Sequence, residues 1–168
     1  ILSALYNENT RAARRAVLDA LASRGDAGAD TLFDAYWKRL AEDEDAGVRA
    51  EALDTAGRLP DAGAARIVAL WMGDAESSNR VRVLTRLLVL NTPSVACVVR
   101  GLADAESAVR IQAIRLSARF PDPAFVVGLQ EASQSGEPRA VAAALEALQR
   151  HHPLLALAAS LRLQEGSV

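Results

Sequence analysis

The sequence predicts an all-α protein, a right-handed α-solenoid built from about five stacked helix pairs. Three observations lead there. The string DAESSNR (Asp74 to Arg80) returns thirty residues later as DAESAVR (Asp104 to Arg110). Pro93, Pro123 and Pro153 keep the same step, in register with those strings. Aromatic residues make up only 4% of a chain that is half hydrophobic, so Ala, Leu and Val must supply the core. That composition suits close helix packing better than a β-sandwich, whose strands favour β-branched and aromatic residues.

The repeat extends upstream. Asp43 to Ala64 aligns with the segment starting at Asp74 at a step of 31, and Ala13 to Ala29 matches Val48 to Ala64 at a step of 35. Five copies, roughly 8–42, 43–73, 74–103, 104–133 and 134–164, then fill a single domain over 1–168, and we expect the chain to be a piece of a longer protein. Each copy reads as two helices. The first carries an apolar face at helical spacing, as in Val48, Ala52, Leu53, Ala56 and Leu59, in Val83, Leu84, Leu87 and Leu90, and in Ala113, Ile114 and Ser117. A short turn follows, and the three spaced prolines suit the first turn of the next helix, where a missing N–H costs nothing. The second helices are read from Leu32, Phe33, Tyr36, Trp37 and Leu40, from Ile67, Val68 and Trp71, from Val95, Val98, Val99 and Leu102, and from Phe125, Val126 and Leu129. Neither helix can bury its apolar face alone, so neighbouring pairs must stack.

The pattern D-x-x-x-x-V-R-x-x-A-x-x-x-L, a Pro/Gly turn and a second apolar helix resembles HEAT-like repeats, above all the short bacterial kind described around phycobilin lyases. The carriers are DEDAGVRAEALDTAGRL and DAESAVRIQAIRLSARF, and the resemblance spans roughly residues 8 to 163. It implies the fold but leaves the task open, because such folds serve many. The last copy departs from the pattern, with Gln134 at the acid position and Ala140 at the arginine position beside Arg139.

The repeated acids and arginines are Asp43 with Arg49, Asp74 with Arg80, and Asp104 with Arg110, with Glu8 and Arg14 as a first member. Each acid precedes a helix, where N–H groups and the positive dipole end favour it. Each arginine can bond the acid of its own copy or of the next, and repetition down the stack makes a structural ladder. An alternative is a cationic row for an anionic ligand, but every such arginine is matched by an acid.

No catalytic constellation emerges. The run Glu42 to Asp45 lacks calcium-loop spacing and reads as a capped helix start. His151 and His152 are adjacent and poorly set to chelate one metal. Cys97, the lone cysteine, sits among valines without an activating base, and reads as a buried structural thiol. No cofactor or metal is expected. One cysteine excludes an internal disulfide framework and fits a reducing, cytoplasmic compartment, and no window is long and apolar enough for a membrane span.

Partner-binding candidates are Tyr36, Trp37, Arg39, Arg66, Trp71 and Arg100. In HEAT-like stacks second helices line the concave face, and aromatics and arginine anchor interfaces; filling the core between copies is the alternative role for the aromatics. The apolar run Leu154 to Leu163 is a further surface that could dock on a neighbouring repeat or a second copy. The expected function is a non-catalytic scaffold or regulatory module for another protein, or another domain of the same longer chain. Two alternatives are weaker: a nucleic-acid binder like HEAT-like DNA glycosylases, opposed by a net charge of −2 and evenly spread acids, and a bilin-lyase-like chromophore handler.

Overall fold

The computed structural model describes residues 10–23, 31–59 and 61–165. Among them are ten α-helices and no strands. They are α1 (Arg11–Ser23), α2 (Thr31–Ala41), α3 (Ala46–Ala56), α4 (Asp61–Val68), α5 (Ser77–Val89), α6 (Val95–Leu102), α7 (Ser107–Arg119), α8 (Val126–Ala132), α9 (Pro138–His151) and α10 (Pro153–Glu165). Two 3₁₀ segments, Ala69–Gly73 and Pro123–Phe125, extend the second helices of their copies.

The odd-numbered helices form a row, α1 on α3, α3 on α5, α5 on α7 and α7 on α9. The even-numbered helices and the 3₁₀ segments form the other layer, with α2, α4, α6 and α8 each packed on the odd helix that follows. The apolar faces read from the sequence meet between these layers: Val48, Ala52, Leu53, Ala56 and Leu59 are buried, as are Val83, Leu84, Leu87, Ala113, Ile114 and Ser117. Leu32 and Phe33 lie outside the residues whose side chains are described.

Two expectations are corrected. Pro93 does not open a helix. Asn91, at φ 52°, ends α5 in the left-handed conformation, and the Thr92 N–H donates to Leu87 O at 3.2 Å. This six-to-one closure carries the chain past Pro93, and Ser94 becomes the cap, its hydroxyl accepting from the Cys97 N–H at 3.5 Å. Pro123 and Pro153 do occupy first positions, of the 3₁₀ segment and of α10. The second correction concerns α6 itself. The buried face of α6 is Cys97, Val98, Gly101 and Leu102, whereas Val95 and Val99 are exposed.

Gly101 shows how tightly the copies join. A Cβ there would stand 2.9 Å from the Ala113 Cβ, 3.0 Å from a Leu84 methyl and 3.3 Å from the Met72 methyl. Ala113 cannot turn away, so α7 itself would have to shift. Overpacking costs about 1–3 kcal/mol and opposes a helix-propensity gain of about 1 kcal/mol. Gly101→Ala is therefore expected to lower stability by about 1 kcal/mol, read as a lower urea midpoint; a raised midpoint would show the joint to be loose.

Candidate functional site

The acid–arginine pairs form a ladder between successive copies. Arg49 donates through Nε to Asp74 Oδ2 at 2.9 Å and through Nη2 to Oδ1 at 3.2 Å. Arg80 grips Asp104 with the same fork, at 2.7 and 2.8 Å. Arg14 pairs with Asp43 at 3.4 Å, and Arg110 reaches Glu137 at 2.8 Å. The remaining nitrogen turns back to its own copy: the Nη1 groups of Arg49, Arg80 and Arg110 donate to the carbonyls of Asp43, Asp74 and Asp104 at 2.8, 2.8 and 2.9 Å. Each guanidinium thus ties the turn before its own helix to the turn before the next. Glu8 lies outside the described residues.

The acids are equally committed. Asp43, Asp74 and Asp104 each accept the N–H two residues on, at 2.9, 2.8 and 2.9 Å. Asp74 also accepts from the buried Asn79 amide at 3.1 Å. Asn79 stands where the aligned copies have Val48 and Val109, a departure that goes unremarked until its partner is seen. Glu137 is the other residue the pattern concealed: it closes the last rung from a position three residues beyond Gln134, bonded as well to the Ser107 hydroxyl.

Burial pushes the Asp74 carboxyl up, but its bonds to Arg49, the Glu76 N–H and Asn79 outweigh that and hold it below the usual range. The Arg80 fork holds Asp104 low against a smaller desolvation effect. A carboxylate with a depressed folded pKa contributes stability above its unfolded value, about 4, and loses it as pH falls toward the folded value. The urea midpoint is therefore expected to stay level from about pH 7 to 5 and to fall below about pH 4. Asp104→Asn should start less stable and fall less steeply; an identical slope would remove Asp104 from the linkage.

The partner-binding candidates do not form an exposed aromatic row. Trp37 and Trp71 are both 0% exposed and meet edge to face, with ring centroids 6.3 Å apart and planes at 71°. Trp71 lies on the 3₁₀ segment after α4, where it and Met72 are buried. Tyr36 is half-buried against the same core. Arg66 is ion-paired with Asp34 on α2, Arg100 lies with its guanidinium 3.4 Å from the Cβ position of Gly73, and Arg39 is exposed. The other singled-out residues have structural partners. Asp45 caps α3 by accepting from the Gly47 and Val48 N–H groups at 2.7 and 3.3 Å. His151 donates from Nε2 to the Ala118 carbonyl at 2.8 Å. The Cys97 thiol is buried, which pushes its pKa up. Among the described residues, no group of three His, Cys, Asp or Glu is placed to hold a metal ion.

A groove lies elsewhere, on the odd-numbered row. It has a volume of about 720 Å³ and crosses α5, α7 and α9, with Val81, Ala108, Ile111, Ala142 and Ala143 as floor and Gln112, Arg115, Arg139 and Glu146 as polar margin. Earlier along the same row, charges pair from helix to helix: Arg15 with Glu51 at 3.1 Å and Arg82 with Asp54 at 3.5 Å. Between α5 and α7 the tie is neutral, Gln112 to Thr85 at 2.8 Å. At the groove the pairing stops. Among the described residues Arg115 donates to Gln112 Oε1 at 3.2 Å, and Glu146 is taken by Arg150 at 3.0 Å. A second apolar surface lies on α10, where Leu154, Leu157 and Leu161 are 80, 58 and 51% exposed. None of the described helices is long and apolar enough to cross a membrane.

Comparison with protein-family models, curated proteins and solved structures returns no match to this chain.

Proposed function

We propose that the chain is a non-catalytic protein-binding module, an α-solenoid of HEAT-like helix pairs that receives a segment of another protein in the groove across α5, α7 and α9. The observation that carries this reading is the groove itself: an apolar floor within a polar margin, drawn from three successive helices of one row. Such a surface suits an extended or helical segment laid across the row, with apolar anchors below and polar contacts at the edge. The ladder supports the reading by holding those three helices in fixed register, so the groove is preformed and less ordering is needed on binding. A nucleic-acid reading has less support, because the groove lining includes no aromatic side chain for bases to stack on.

The test uses short random peptides displayed on phage and selected on the protein. Ala108 and Ala142 are exposed helical positions in the groove lining, so the paired variant Ala108→Gln/Ala142→Gln fills it without adding charge or removing a core contact. Enriched peptides are expected to bind that variant about tenfold more weakly or worse. Failure to enrich any peptide, or equal binding to the filled variant, would remove the groove as the binding site.

A further inference from the structure

Arg115 and Arg139 are the two cations of the groove margin, and neither forms an ion pair with a carboxylate among the described residues. The charge of Arg139 is felt at Glu137, but that carboxylate is already bonded to Arg110 and the Ser107 hydroxyl. The one acid lining the groove, Glu146, is held by Arg150. Earlier on this row two arginines are matched across neighbouring helices, Arg15 by Glu51 and Arg82 by Asp54. At the groove itself a pair of guanidinium groups, Arg115 and Arg139, stands beside the apolar side chains of the lining.

Resting on the protein-binding reading above, we propose that the groove selects an acidic amphipathic segment: a peptide whose aliphatic side chains seat on Val81, Ile111 and Ala143 while its Asp or Glu carboxylates meet Arg115 and Arg139. Guanidinium groups offer carboxylates a planar, bidentate donor pair. The floor adds what charge alone lacks. A polyanion with no aliphatic groups leaves Ile111 and Val81 wet and gains only the screened rim attraction. A basic segment meets uncompensated like charge at the same margin, which costs affinity and rejects it. Aliphatic anchors and acids on one segment satisfy both parts of the lining.

The peptide selection just described also separates this inference from the reading it rests on. Peptides enriched on the wild-type protein should be rich in Asp and Glu interspersed with Leu, Ile or Val. They should bind the Arg115→Gln/Arg139→Gln variant about tenfold more weakly or worse. Their affinity should fall with added salt, and versions with every acid replaced by its amide should bind as poorly to the wild type. Enriched peptides that lack acids, or that bind the double variant unchanged while losing affinity for the groove-filled one, would overturn the acidic preference and leave the protein-binding reading standing. Peptides indifferent to both variants would overturn both. Tighter, salt-sensitive binding of a single-stranded oligonucleotide that depends on the same two arginines would replace the peptide with a nucleic acid. Both arginines are exposed, so circular dichroism should report an unchanged helical content for the double variant.

Discussion

Replacing Trp71 with alanine is expected to lower stability by about 3–5 kcal/mol, the usual cost of truncating a fully buried aromatic residue. Domains of this kind hold only about 5–15 kcal/mol in total, so the variant should sit close to unfolding at ordinary temperature. The indole is 0% exposed and lies edge to face with Trp37, an arrangement that adds about 0.5–1.5 kcal/mol beyond burial. Chemical denaturation followed by circular dichroism measures the loss, and Trp71→Phe, which keeps a ring in place, should recover part of it. The two tryptophans of the wild type should also emit at short wavelength and resist acrylamide quenching. Emission like that of free indole, or an unchanged midpoint for the alanine variant, would contradict the burial. One practical result is that Trp71→Ala cannot test binding, since any loss of affinity would reflect loss of structure.

The second large effect is expected at Arg80. Its truncation leaves the Asp104 carboxylate without its fork and the Asp74 and Ala75 carbonyls without their shared donor. The side chains of Arg80 and Asp104 are 14 and 8% exposed. Breaking a buried pair costs about 3–5 kcal/mol, and partial solvent access brings the expectation for Arg80→Ala to about 2–3 kcal/mol. Arg80→Lys should recover less than half, because an ammonium supplies charge without the bidentate geometry. A double-mutant cycle with Asp104→Ala isolates the pair. A coupling energy near zero would reduce the rung to ornament.

The parts of this molecule that were legible in the sequence are those set by local chemistry repeated in one register. Val48, Ala52, Leu53 and Ala56 are buried because an apolar stripe at helical spacing has one place to go. The ladder was legible as acids and arginines, and its direction, each arginine reaching forward to the next copy's acid, was one of two options left open. Other features depend on geometry that letters do not carry. Asn91 takes up the left-handed cap and α6 starts after Pro93, and the packing of α6 turns Val95 and Val99 outward and Gly101 inward. Of the two roles open to the aromatics, core and surface, Trp37 and Trp71 fill the core, Trp71 on the face of Ile67 and Val68. Glu137 is not legible from the repeat because its rung spans 27 residues where the two before it span 25 and 24. The groove depends on how far apart α5, α7 and α9 stand, and no single residue announces that distance.

The ladder's forward reach has a consequence for how such a chain can change its length. Arg49 meets Asp74 and Arg80 meets Asp104, and both acids sit in the same kind of turn with the same backbone bond two residues on. Excision of residues 74–103 would leave Arg49 facing Asp104, a partner of identical chemistry, and would bring Ala113 beneath the segment that now covers Val83. These two joints are interchangeable fittings, so removal or duplication of the unit between them is expected to leave a seam that still finds its match.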